Sequence, residues 1–271
     1  MKRWSWISAT STGTAHLRHG LPLQDAQTCL TVVPELLPDA SAWFVAVVCD
    51  GAGSASHGRQ GALITCRTLA QSIRGHLKHA SAAESVNILP STETLQNWTN
   101  EARRRISQAA TTRGLCARDF ACTLVCAISN GQQTLAAHIG DGGIVARAAD
   151  NDQWLTLSWP DHGEYASTTR FVTEEPAAPL RIQTLQQPID TLALFSDGIE
   201  RLVLDMATQT PFARFFSAMT APLLAHAASA HTGKAHTLSA HLKTYLDSEA
   251  VTARTDDDKT LVIAVLQPAR S

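Results

Sequence analysis

Trp43-Phe44-Val45-Ala46-Val47-Val48-Cys49-Asp50-Gly51-Ala52-Gly53-Ser54-Ala55-Ser56 is the segment that decides how this chain folds. Its first seven residues are apolar and rich in β-branched and aromatic side chains, which reads as a strand. The run stops on a carboxylate, and a loop of small residues then leads into a helical pattern rather than a returning strand. A carboxylate placed there stands on rigid scaffold. The glycine after it lets the backbone turn sharply enough to offer its carbonyl beside the side chain.

The same device recurs. An apolar strand ending in Asp-Gly appears again as His138-Ile139-Gly140-Asp141-Gly142 and as Leu194-Phe195-Ser196-Asp197-Gly198. A fourth acidic group, Asp256-Asp257-Asp258, immediately precedes the apolar run 260–266. Taken singly, each Asp-Gly also reads as a hairpin turn. Their coincidence at strand ends favours a shared site. Carboxylates that converge repel one another unless a divalent cation neutralises them, and an all-oxygen donor set suits Mg²⁺ or Mn²⁺.

Other chemistries fit less well. The loop after Asp50 has the strand, glycine and helix of a phosphate cradle, but Ser56 stands where a third glycine belongs and no Gly-Lys-Ser/Thr follows. The histidines show no His-x-x-x-His or His-Glu-x-x-His spacing, so zinc hydrolysis loses support. No Cys-x-x-Cys pair occurs, and most of the cysteines lie in apolar segments, as expected for reduced core residues of a cytoplasmic protein. Basic and acidic residues number 22 and 24 and are scattered, which argues against a nucleic-acid partner. The start of the chain lacks the apolar core of a signal peptide, and no run is long enough for a membrane span.

Short β-rich runs are predicted at 26–33, 43–49, 122–129, 134–139, 144–148, 154–157, 180–185, 192–196 and 260–266. Helical periodicity covers 58–79 and 92–113, and a further helical region, 211–247, is split near Gly233. Strands grouped apart from helix pairs predict an α+β fold. The composition supports one globular domain spanning 1–271.

In their order, the motifs resemble the protein phosphatase 2C family of metal-dependent Ser/Thr phosphatases, in its divergent bacterial branch. The resemblance is carried by Gly13-Thr14-Ala15-His16 with Leu23-Gln24-Asp25-Ala26, the Asp50 loop, and Cys122-Thr123-Leu124 with Ile139-Gly140-Asp141-Gly142. Glu164-Tyr165, Phe195 to Glu200 and Asp257-Asp258-Lys259-Thr260-Leu261 complete it. It implies a central antiparallel β-sandwich flanked by helix pairs, with metals in a cleft at one end. By the resemblance Asp50 bridges two ions, the Gly51 carbonyl binds the second, and Asp197 and Asp257 bind the first. Asp141 matches a third, weaker metal position, and Asp25 orients metal-bound water or reaches the second ion.

The activity so implied is hydrolysis of phosphoserine and phosphothreonine by direct attack of a metal-bridging hydroxide, with no phosphoenzyme. The implied partners are phosphorylated proteins, such as a cognate Ser/Thr kinase or its targets, and the chain is expected to act as a monomer. Two departures stand out. Ala52 follows the first Asp-Gly where many members carry a histidine thought to protonate the leaving group, which leaves His57 as a candidate acid. The family's phosphate-binding arginine is missing at its usual spacing, so His16, then Arg18, is the nearest substitute. Two other readings compete: a catalytically weak phosphatase-like binding module, and a small-molecule phosphohydrolase. Retention of Asp50, Asp197 and Asp257 weighs against the first, since carboxylates crowded without metal are costly to keep together.

Overall fold

The strands form where β-branched and aromatic residues cluster, and the register of their ladders brings the acidic motifs to one end. The computed structural model describes residues 2–80, 88–161 and 169–267. The strands are β1 (Trp4–Ser11), β2 (Ala26–Val32), β3 (Trp43–Cys49), β4 (Leu124–Ser129), β5 (Thr134–Ile139), β6 (Gly143–Ala148), β7 (Trp154–Ser158), β8 (Arg181–Leu185), β9 (Ile189–Phe195), the short β10 (Leu204–Asp205), β11 (Thr210–Pro211) and β12 (Gly233–Lys234), and β13 (Lys259–Leu266). One sheet has the order β2-β3-β4-β5-β8 and the other β12-β1-β13-β9-β6-β7. Every pairing within them is antiparallel except β1 with β12.

Alternation along the strands divides the core into layers. Phe44, Ala46 and Val48 of β3 meet Leu192, Leu194, Val262 and Ala264 between the sheets. Val45, Val47 and Cys49 point the other way, under the long helices α2 (Gly58–Lys78) and α3 (Thr92–Thr112), which supply Leu69, Ile73, Leu95 and Ile106. On the opposite outer face, Ile7, Ala193, Ile263 and Val265 pack against Phe216, Leu223 and Leu242. These come from α5 (Ala213–Ala228) and α6 (His236–Leu246), the two halves of the split helical region. Three short helices, α1 (Thr14–His19), α4 (Glu200–Val203) and α7 (Glu249–Thr252), lie near the acidic end. The result is the predicted αββα sandwich.

The strand β1 and the two-residue strands β10, β11 and β12 are absent from the predicted runs. Trp4-Ser5-Trp6 alternates by face: both tryptophans enter the inter-sheet core while Ser5 is buried on the other side, its hydroxyl donating to the His231 carbonyl at 2.6 Å. Among the described residues, no helix is long and apolar enough to cross a membrane. All six cysteines are free; four are buried, Cys29 is half-buried and Cys116 is exposed.

Candidate metal centre

Ladder register assembles the site. In the β2–β3 ladder Ala26 faces Cys49, and in the β3–β4 ladder Val48 faces Val125. Continued past Cys49, this sets Asp25 on one side of Asp50 and Thr123 on the other, and Gly51 bridges Cys122. The Asp50 N–H donates to Thr123 Oγ1 at 2.9 Å, while the Thr123 N–H donates to the Asp50 carbonyl at 2.8 Å. In the second sheet Phe195 faces Leu261, so Asp197 at the end of β9 and Asp257 before β13 reach the same end. Asp141 sits where the chain leaves β5 in one sheet for β6 in the other. It is therefore a crossing between layers and not a hairpin within one.

Gly51 is needed for space. A Cβ there would lie 2.4 Å from the carbonyl carbon of Gly58, so the loop can fold onto the start of α2 only without a side chain.

Three of the strand-end carboxylates approach one another closely. Asp50, Asp141 and Asp197 each offer a carboxylate oxygen, all within 4.8 Å of one another. Asp25 is buried beside them, and its Oδ2 accepts hydrogen bonds from Ser196 Oγ at 2.8 Å and Thr260 Oγ1 at 2.6 Å. Thr169 donates its hydroxyl to Asp141 Oδ2. Asp257 stands at the exposed rim, outside the tight triad but close enough for its charge to act on Asp50 and Asp197.

The electrostatics are those of a site short of positive charge. Burial, then Asp25, then Asp197 hold the Asp50 carboxyl far above the ordinary carboxylate range. Burial, with Asp141, Asp257 and Asp25, raises Asp197 to about 8. Asp25 is raised to about 6 by burial, against the pull of hydrogen bonds from Asp50, Thr260 and Ser196. Asp257 is raised too, through desolvation and its neighbour Asp258. Asp197 Oδ1 is buried with no hydrogen-bond partner, and Asp25 Oδ1 has none unless it shares a proton with Asp50. Hard divalent cations fit this all-oxygen, under-neutralised donor set.

His16 is buried with its Nδ1 3.0 Å from Asp258 Oδ2. Asp258, to which the motif reading gave no role, is the anchor of this corner: it accepts from the Gly13 N–H at 2.6 Å and the Gln24 N–H at 2.5 Å. Gln24 in turn donates Nε2 to the Ala55 carbonyl at 3.1 Å and so holds the Asp50 loop. Arg18 lies at the surface with Asp256, 3.1 Å apart. His57 stacks on Phe120 with ring centres 5.0 Å apart, and its Nδ1 is 3.0 Å from Ser56 Oγ. Ala52 is buried and brings no titratable group. Glu164 and Tyr165 lie outside the described residues.

Comparison with known proteins identifies the family and the fold. A family model described as protein phosphatase 2C matches residues 12–247. The chain is 35% identical over 268 residues to serine/threonine-protein phosphatase 3 of Escherichia coli (strain K12), covering 97% of this chain and 98% of that protein. A crystal structure of a bacterial serine phosphatase superposes with a TM-score of 0.60 at 15% identity, over 98% of this chain and 99% of the other. The catalytic domain of the serine threonine protein phosphatase PstP, in complex with two manganese ions, superposes with a TM-score of 0.58 at 14% identity, over 99% and 100%. At such identities the structural likeness speaks for the fold alone.

Proposed function

This chain belongs to the protein phosphatase 2C family and is a metal-dependent serine/threonine phosphatase; from that premise we propose that Asp50, Asp197 and Asp257, with the Gly51 carbonyl, hold two Mn²⁺ or Mg²⁺ ions, and that Asp141 serves a third. The observation that carries this reading is the approach of Asp50, Asp141 and Asp197 oxygens to within 4.8 Å of one another, where burial and mutual repulsion raise the pKa of Asp50 and Asp197. Divalent cations bound there would lower the pKa of a water and offset charge on phosphoryl oxygens.

The chain's own residues set the geometry. Thr123 fixes the peptide of Asp50, Ser196 and Thr260 fix Asp25, and Asp258 draws the 13–16 segment and Gln24 onto the site. His16, committed to Asp258, acts on the centre through that carboxylate. With Ala52 after the Asp-Gly, the leaving alkoxide takes its proton from elsewhere, and His57 is the imidazole nearest in sequence to the Asp50 loop.

The substrates in this reading are phosphorylated proteins, among them a bacterial Ser/Thr kinase or the targets of one. The chain would work as a single domain and a monomer, in the cytoplasm. The test is turnover of phosphoserine and phosphothreonine peptides, beside sugar phosphates and nucleotides, in EDTA and after readdition of Mn²⁺ or Mg²⁺. Peptide hydrolysis that EDTA abolishes and metal restores is expected. Undiminished activity in EDTA, or preference for the small phosphates, would reject the reading.

A further inference from the structure

A cavity of about 310 Å³ opens from the carboxylate cluster on the side of the six-stranded sheet. Asp197 and Asp257 line it together with Glu200, Arg201, Arg254 and Asp256. Arg201 comes from α4 and Arg254 from the turn after α7, so two segments distant along the chain bring guanidinium groups to one cavity that also contains candidate metal ligands.

The charges there do not cancel once cations occupy the centre. Asp197 and Asp257 are then neutralised by metal, and Asp256 is paired with Arg18 at 3.1 Å. Glu200 is largely buried, and the Arg201 Nε is 4.0 Å from its Oε1, the outer limit of an ion pair. Arg254 makes no ion pair among the described residues. Exposed arginines are ordinarily only solvated, but these two face a cavity continuous with the reacting centre. A guanidinium presents a planar fork of donors that matches a carboxylate or a phosphate. An extended peptide advances roughly 3.3–3.6 Å per residue, so a space of this size admits one or two residues beside the phosphorylated one.

We propose that Arg201 and Arg254 form a subsite for an anionic side chain, a carboxylate or a second phosphate, that flanks the phosphorylated residue of the substrate protein. The subsite rests on the phosphatase reading above and extends it to substrate choice: acidic or multiply phosphorylated segments are preferred over basic ones.

The test compares peptides that carry a non-hydrolysable phosphonate in place of phosphoserine, flanked by aspartate, by a second phosphoserine, or by lysine. Their Kd values are measured on the Mn²⁺-loaded full chain, for wild type, the double variant Arg201→Ala/Arg254→Ala, and the charge reversal Arg201→Glu/Arg254→Glu. Wild type should bind the two anionic peptides about tenfold more tightly than the lysine peptide, the alanine variant should lose that ratio, and the reversal should invert it. The aspartate and phosphoserine arms show which anion the subsite takes. Wild type without a preference, or variants that weaken every peptide equally and keep the ratio, would overturn the subsite. Separately, Mn²⁺-dependent hydrolysis of p-nitrophenyl phosphate by wild type tests the underlying reading. Its absence would remove the phosphatase assignment, and the subsite with it.

Discussion

Thr123 holds the peptide of Asp50 from both sides, through its hydroxyl at 2.9 Å and its own N–H at 2.8 Å. Thr123→Val keeps the shape of the side chain but leaves the Asp50 N–H without an acceptor, which costs about 1–3 kcal/mol. It also loosens the peptide that carries the Asp50 carboxylate. The expected outcome is a drop of about tenfold or more in kcat/KM on a phosphopeptide together with the stability loss, both largely restored in Thr123→Ser. Steady-state kinetics and urea denaturation of the three proteins check it; a valine variant with wild-type turnover would separate Thr123 from the site.

Cation binding should release protons. Asp197, raised to about 8, and to a lesser degree Asp25, raised to about 6, retain protons that a metal must displace, so calorimetric affinity for Mn²⁺ should rise between pH 6 and 8 and fall sharply in Asp50→Asn. Without metal the sign reverses. Both groups have folded pKa values above the unfolded value of about 3.9, so their contribution to stability is complete below that value and is lost as pH rises through 6 to 8. Denaturation of EDTA-treated protein across this range should show stability falling, and saturating Mn²⁺ should remove the fall. At a hundred times Kd, the ion adds about 2.7 kcal/mol.

His138 predicts a second pH dependence, of opposite sign. Its ring is fully buried, with Nδ1 2.7 Å from Ser158 Oγ and 3.0 Å from an Arg181 guanidinium nitrogen, and burial followed by the Arg181 charge pushes it down to about 3. A folded pKa below the unfolded value of about 6.5 means a contribution that is complete above 6.5 and is lost as pH falls toward 3. Against His138→Gln, which does not titrate, wild type should lose about 2 kcal/mol of relative stability between pH 7 and pH 5. Parallel curves for the two proteins would contradict the assignment.

Gly51→Ala tests the close approach of the Asp50 loop to α2. The added methyl meets backbone at 2.4 Å, which no side-chain rotation relieves, so the loop must move away from Gly58. Weakened Mn²⁺ binding by at least tenfold is expected in calorimetry, with most of the fold retained by circular dichroism, since the strand before it is buried throughout.

Most of the fold was legible because nine of the thirteen strands carried their signal locally: β3 and β5 match the predicted runs residue for residue, β2, β4, β6 to β9 and β13 differ by a few residues at their ends, and β1 and the two-residue β10, β11 and β12 have no predicted run. The strand β1 escaped because its serines are buried as well as its tryptophans, so a core strand looks interrupted by polar residues. The acidic motifs were legible as strand-end carboxylates. What local reading misses is support from across the fold: nothing in Phe195-Ser196-Asp197 says that the serine hydroxyl will bond Asp25, 171 positions away. Asp258 is the same lesson in a run of three aspartates that look equivalent. One neighbour is left at the rim and the other in a surface pair, while Asp258 is buried and ties down the 13–16 segment.

The crossing at Asp141 has a mechanical consequence. Asp50 and Asp25 belong to one layer of the sandwich, Asp197 and Asp257 to the other, and Asp141 to the link between them. An ion shared across that divide would act as a rivet through two plates. Stripping it should loosen the whole open end at once, so that amide hydrogens at the tips of β3 and β9 exchange faster together while those at the far end keep their pace.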